Sequence, residues 1–124
     1  MTHDFTDFGL LTRASAEVKS FNAGEFIFHE GDAAQDMYVV KSGAIDIRRG
    51  NRTLETIEAG GIFGEMALVD GARRSADAIA HDDAEVVAVG EKQFLFLVSQ
   101  TPYFALSVMA VMARRLRTMN QLDA

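Results

Sequence analysis

Glycine punctuates the first half of this chain. Gly24, Gly31, Gly43, Gly50 and Gly60 stand at roughly ten-residue intervals, the rhythm of short strands joined by tight turns. The runs between them are β-prone. Val18 and Phe21 suggest an edge strand before the turn at Asn22-Ala23-Gly24, and Glu25 to His29 reads as the next strand, ended by Glu30-Gly31-Asp32. Met37 to Val40 is apolar at every position and reads as a buried strand, after which Lys41-Ser42-Gly43 turns the chain. Ala44 to Arg48 and Leu54 to Ile57 alternate apolar and polar on either side of Gly50-Asn51, the period of a half-buried strand. Further along, Ala76 to Ala80 and Ala84 to Val89 read as two more strands around a His81-Asp82-Asp83 turn. A chain built this way is expected to fold as a small antiparallel barrel or jelly roll.

The two ends differ from this middle. Residues 1–15 are expected to form an arm or a short helix over Asp4 to Leu11, capped by Thr2 or Asp4, with Phe5, Phe8 and Leu11 on one side. After Gly90-Glu91 the pattern turns helical. Thr101-Pro102 breaks it and opens a second helix from Tyr103 to about Met119, with Phe104, Val108, Val111 or Met112, Arg115 and Met119 near fourfold spacing. With 124 residues, 48% of them apolar, the chain suits one domain spanning 1–124. The absence of cysteine excludes disulfides, thiolate metal sites and a cysteine nucleophile, and fits the cytoplasm. His3, His29 and His81 are scattered without acidic partners at metal spacing. No nucleophile-elbow or Walker motif is present, so neither metal nor cofactor nor enzymatic activity is expected. The starting sequence carries no signal-peptide pattern. The apolar run from Pro102 to Ala113 is too short for a membrane span. The net charge of −6 argues against nucleic-acid binding.

An acidic protein that takes an anionic ligand must concentrate positive potential locally, and one stretch does so. Gly60, Gly61 and Gly64 precede Glu65-Met66-Ala67-Leu68, a short run of helix formers, and Arg73 and Arg74 follow within ten residues of Glu65. Glycine permits close backbone approach, and the first amides of a helical turn lack intrahelical partners. A guanidinium is a planar, permanently charged fork suited to phosphate oxygens. Glu65 would repel phosphate and is expected to accept hydrogen bonds from a hydroxyl instead. A phosphate and a hydroxyl held side by side describe a nucleotide.

Phe63-Gly64-Glu65-Met66-Ala67-Leu68 followed by Arg74-Ser75-Ala76 resembles the phosphate-binding cassette of cyclic nucleotide-binding domains, of the type found in catabolite activators and protein kinase A regulatory subunits. The resemblance covers about residues 16–120 and extends to Gly24-Glu25, Glu30-Gly31-Asp32 and Tyr38 to Gly43. It implies a mainly β fold: an eight-stranded antiparallel jelly roll over residues 16–90, with the cassette at 60–75, followed by C-terminal helices over 91–120. It also implies that Arg74 contacts the cyclic phosphate, that Glu65 takes the ribose 2′-hydroxyl, and that Gly64, Met66 and Ala67 offer amides or room. Ser75 would donate to the same phosphate, and its hydroxyl leaves both cAMP and cGMP open, with cAMP slightly favoured. Two positions depart from the family pattern: Arg73 stands where proline is common, so either arginine is a candidate clamp, and Gly61 stands where aspartate is frequent.

The resemblance implies a lid over the base, drawn from Met109 to Leu122, with Arg114, Arg115 or Arg117 stacking on the purine. A core-packing helix with solvated arginines and a dimer interface are the other readings of that stretch. The function expected is a non-enzymatic, cytoplasmic cyclic nucleotide receptor that regulates a protein partner or works as a homodimer. It is read as a stand-alone domain rather than a fragment. A module of the same fold that interacts or dimerises without nucleotide is the alternative.

Overall fold

In a computed structural model that describes the backbone of residues 7–123 and side chains as far as Thr118, the strands fall into two four-stranded sheets with every pairing antiparallel. The order along the chain is α1 (Phe8–Arg13), β1 (Glu17–Phe21), β2 (Phe26–Phe28), β3 (Met37–Ser42), β4 (Ala44–Arg49), β5 (Arg52–Glu58), β6 (Ile62–Phe63), α2 (Met66–Val69), β7 (Asp77–Ala80), β8 (Ala84–Val89), α3 (Glu91–Gln100) and α4 (Tyr103–Asp123). One sheet runs β1-β8-β3-β6 and the other β2-β7-β4-β5. This is the eight-stranded roll with flanking helices that the family resemblance implies.

The layering explains the hydrophobic patterns. The two central strands of the first sheet, β3 and β8, are buried on both faces over most of their length. Tyr38, Val40, Val86 and Ala88 face the second sheet, where Ile45, Ile57, Ala78 and Ala80 meet them. Met37, Val39, Val87 and Val89 face outward under a cover of helices: Leu10 and Leu11 from α1, Leu97 from α3, and Phe104, Val108 and Val111 from α4. A stretch of strand with two dry faces has no position for a polar side chain, so residues 37–40 of β3 and 86–89 of β8 read as unbroken apolar runs. The second sheet has one wet face, so β4 and β5 alternate. Val18 and Phe21 fall on β1, an edge strand, as read.

Three local readings shift. Lys41 and Ser42 continue β3, and the turn is confined to Gly43, where the chain leaves one sheet for the other. Gly43 has φ +74°, and a Cβ there would lie 2.8 Å from the Ala84 Cα. The β7–β8 connection crosses between the sheets at the same corner, and Asp82 ties the two crossings by accepting from the Ala44 amide at 2.8 Å. Second, Ile62–Phe63 forms β6, a strand too short to show periodicity. Third, the described part of α1 begins at Phe8, with Asp7 capping the Leu10 amide at 2.9 Å. Thr2, Asp4 and Phe5 lie outside the described residues. At the other end Pro102 stops α3 by disfavouring helical backbone at Thr101, whose carbonyl then accepts from Phe104 at 2.9 Å as α4 starts. The Met119 side chain lies outside the described residues.

Candidate functional site

The site begins where β6 ends. Phe63 is fully buried, pairs with Tyr38 of β3 and stacks on its ring with centroids 5.2 Å apart. The chain then reverses at Gly64, with φ +71°, and enters the four-residue helix α2. The path returns through Arg73 and Arg74 to β7. Arg74 is pinned at its backbone, where its amide donates to Asp32 O at 2.9 Å and its carbonyl accepts from Gly31 at 2.8 Å. That ladder points its side chain inward, beneath α2.

Arg74 is buried, 8% exposed. Its Nη1 donates to Gly64 O at 3.2 Å and its Nη2 to Asp36 O at 2.7 Å. The guanidinium carbon lies 4.1 Å from the centre of the Phe28 ring and 5.7 Å from that of Tyr38. Its buried Nε has no hydrogen-bond partner, and among the described residues no carboxylate comes within ion-pairing distance of it. Burial pulls its pKa down, which expresses the cost of holding a cation in a dry place. Gly64 must be glycine for a second reason besides φ: a Cβ would stand 2.8 Å from Arg74 Nη1.

Glu65 is the most deeply buried acid among the described residues, at 2% exposure. It makes no capping bond to α2. Its Oε1 accepts instead from Nη1 of Arg115 on α4. Nη2 of Arg115 also donates to Glu55 Oε2 at 3.1 Å and to Ile62 O at 2.9 Å. Burial acts to lower the Arg115 pKa, but Glu65 and Glu55 outweigh it and raise the pKa above its ordinary value. Arg114 donates to the other oxygen of Glu55 at 3.1 Å.

These groups line a cavity of about 130 Å³ whose wall includes Phe63, Gly64, Glu65, Arg74, Ser75 and Arg115. Met66, Ala67 and Arg73 also line it, so the structure brings the candidate ligand-binding residues of the cassette together, while Leu68 packs instead against the helix-covered core. Their contributions differ. Arg73 is exposed and its Nη1 donates to Gly31 O at 2.9 Å, so of the two arginines only Arg74 is buried. The Ala67 amide closes on Gly64 O at 3.3 Å and is therefore not free for a ligand. Met66 is 51% exposed at the rim.

The three arginines of α4 do not act alike. Arg115 is held by two carboxylates on the cavity wall, so in this arrangement it is an ion-pair partner rather than a ring-stacking cation. Arg114 lines two adjoining cavities, and Arg117 is exposed and lines none of these three. No separate lid is formed: Met109 to Leu122 belongs to the continuous helix α4, whose Phe104, Ser107, Val108 and Val111 are buried. Sequence reasoning missed Phe28, Asp36 and Glu55. The first two act through a ring face and a backbone carbonyl, which leave no motif. Glu55 looked like an ordinary solvent-facing residue of an alternating strand.

The family described as cyclic nucleotide-binding domain matches residues 18–101. The cyclic AMP receptor protein of Thermus thermophilus is 39% identical over 99 residues, covering 76% of this chain and 46% of that protein. A cAMP-dependent protein kinase regulatory subunit from Hypocrea atroviridis is 35% identical over 78 residues, covering 63% of this chain and 17% of that protein. The chain thus spans less than half the length of either relative. The crystal structure of the Thermus thermophilus catabolite activator protein superposes with a TM-score of 0.80 at 34% identity, covering 94% of this chain and 57% of that one. Among the described residues no helix is long and apolar enough to cross a membrane. From its fold, its cassette and its relatives, the chain belongs to the cyclic nucleotide-binding domain family.

Proposed function

We propose that this chain is a non-enzymatic, cytoplasmic receptor for a 3′,5′-cyclic purine nucleotide, cAMP or cGMP, that changes conformation on binding and so regulates a protein partner. One observation carries the reading: Arg74 is a buried cation whose Nε has no hydrogen-bond partner and which has no carboxylate within ion-pairing distance among the described residues, in a protein of net charge −6. A cyclic phosphate supplies the missing anion, with Ser75 beside it. Glu65 takes the ribose 2′-hydroxyl on the neighbouring wall.

The link from ligand to helix runs through Glu65. A ribose hydroxyl that donates to Glu65 competes for the carboxylate that holds Arg115, and Arg115 belongs to α4. Binding therefore redistributes Arg115 between Glu65 and Glu55 and changes how α4 is held. The ligand shifts that balance only by its differential affinity for the two arrangements.

The test is a thermal-shift titration with cAMP and cGMP on the wild type and on Arg74→Met. Saturation at a hundred times Kd adds about 2.7 kcal/mol, a shift of several degrees. The wild type is expected to shift and the folded variant not to. Absence of a shift with either nucleotide at millimolar concentration sinks the reading. A second reading, an interaction module that needs no nucleotide, draws on the exposed apolar residues Leu106, Met109 and Leu116 of α4. It predicts unchanged partner binding in Arg74→Met.

A further inference from the structure

We propose that Met66 is a peroxide-sensitive modification site, and that its oxidation to the sulfoxide lowers the affinity of the receptor for its nucleotide. This rests on the nucleotide reading above and adds a regulation of the same cavity. The chain has six methionines and no cysteine, so thioethers are its only sulfur groups. An oxidant that attacks sulfur in this protein attacks methionine.

The methionines with described side chains divide into two pairs. Met37 is fully buried in β3 and Met112 packs against the helix-covered core, so their sulfurs are shielded. Met66 and Met109 are half exposed, at 51% and 50%. Met109 lies on α4 and lines none of the three cavities. Met66, the first residue of α2, lines the cavity that holds Arg74. Sulfur oxidation follows exposure, and Met66 is the exposed thioether that stands where a change of polarity meets the ligand.

The oxidant alone balances the reaction. A sulfur lone pair attacks one oxygen of hydrogen peroxide, so that an S–O bond forms as the O–O bond breaks. The proton on the transferred oxygen passes to the departing one, which leaves as water. Sulfur is oxidised by two electrons and peroxide is reduced by two, with no metal or base required of the protein.

The product changes the cavity in one direction. Met66 is a flexible apolar chain at the rim of a wall that includes Phe28, Ile47, Phe63 and Ala76. Its sulfoxide is polar and carries an oxygen that accepts hydrogen bonds. In the same cavity Arg74 Nε is a buried donor without a hydrogen-bond partner. A sulfoxide turned inward offers the arginine an acceptor of its own and competes with the phosphate. A sulfoxide turned outward keeps its water and withdraws apolar cover from the mouth. Either way the nucleotide is held less tightly.

The experiment is calorimetric binding of cAMP and cGMP before and after treatment with hydrogen peroxide, on the wild type, Met66→Leu, Met66→Gln and Met109→Leu. Peptide mass spectrometry reports which methionine has gained oxygen, and each protein is compared with its own untreated form. The treated wild type and Met109→Leu are expected to lose affinity about tenfold, the size of one hydrogen bond to a charged group. Methionine sulfoxide reductases A and B with dithiothreitol should restore it. Met66→Leu should bind equally before and after treatment. Untreated Met66→Gln, with a permanent acceptor in place of the thioether, should bind like the oxidised wild type. An equal loss in Met66→Leu, or full oxidation of Met66 with unchanged affinity, overturns the inference and leaves the receptor reading standing. So does a spectrum in which Met109 is oxidised and Met66 is not. Failure of the untreated wild type to bind either nucleotide overturns the receptor reading, and this inference with it.

Discussion

Arg74 is held against its own solvation. Desolvating a lone guanidinium costs several kcal/mol, and what offsets it here is a ring face and two carbonyls rather than a counter-charge. Filling the same space with an apolar chain removes the penalty. Arg74→Met is therefore expected to unfold at the same urea concentration as the nucleotide-free wild type or a higher one, while losing the nucleotide-dependent shift. A large loss of apo stability would mean that Arg74 is there for structure. A different balance holds on the outer face of the second sheet, where His81 Nδ1 meets Asp46 at 3.0 Å and Thr56 donates to the same carboxylate at 2.7 Å. The Asp46 hydrogen bond and charge raise the His81 pKa above 6.5. Its contribution to stability is thus complete below the ordinary histidine value and disappears as pH rises through the raised one. Burial pushes Asp46 up, but hydrogen bonds from His81 and Thr56 outweigh it and set its pKa below 3.8. Its contribution is present above the ordinary carboxylate value and disappears as pH falls through the lowered one. Replacing His81 by Gln should lower the melting temperature near pH ~5.5 and leave it unchanged near pH ~9. A deficit that is constant across that range would show the effect to be packing rather than charge.

The turns that position the strands and the cassette are not interchangeable. Gly43 carries the chain from one sheet to the other, with backbone atoms of the β7–β8 corner pressed against it. Gly64 lies in a similar left-handed conformation, but what presses on it is the Arg74 side chain. Alanine at either position costs about 1–3 kcal/mol in backbone strain. Only at Gly43 does a rigid backbone clash add to that. Gly43→Ala should therefore be the more destabilising in urea unfolding and retain nucleotide affinity wherever it folds. Gly64→Ala should be the milder in stability and the more severe in affinity, because the added methyl displaces the Arg74 fork proposed to hold the phosphate. If the two variants ranked the same way in both measurements, the division of labour between corner and cassette would be wrong.

The molecule is acidic overall, yet six of its twelve cationic side chains, Arg49, Arg52, Arg73, Arg74, Arg114 and Arg115, line two connected cavities. That segregation gives a local positive field within a negative envelope, which draws in small anions while repelling polyanions. On the opposite side of α4, Leu106, Met109 and Leu116 are exposed and Ala113 is half-buried. Their alternating spacing of three and four residues makes a seam of the kind that closes against another helix. A second copy of this chain presents the same seam and satisfies it by symmetry. Light scattering after size exclusion is expected to give twice the chain mass for the wild type and the chain mass for Leu106→Glu. A monomeric wild type would leave this face to a different protein.

Much of this was readable from residues alone because it depends on local rules. The glycine rhythm marks turns, the apolar runs at residues 37–40 of β3 and 86–89 of β8 mark strands with two dry faces, and the Gly64-Glu65 and Arg74-Ser75 pairs lie close enough in sequence to be recognised together. What tertiary structure alone decided is which of these groups meet. Arg115 lies fifty residues from Glu65 and reaches it only because α4 packs back across β6. Arg74 rather than Arg73 is buried because the ladder to Gly31 and Asp32 sets which side chain faces inward. Arg52 and Glu55 carry no motif, and their place in one cavity wall follows from the β4–β5 hairpin folding towards α4. Local propensity and periodicity act over a few residues, whereas charge pairing and burial depend on distances that exist only once the sheets have closed.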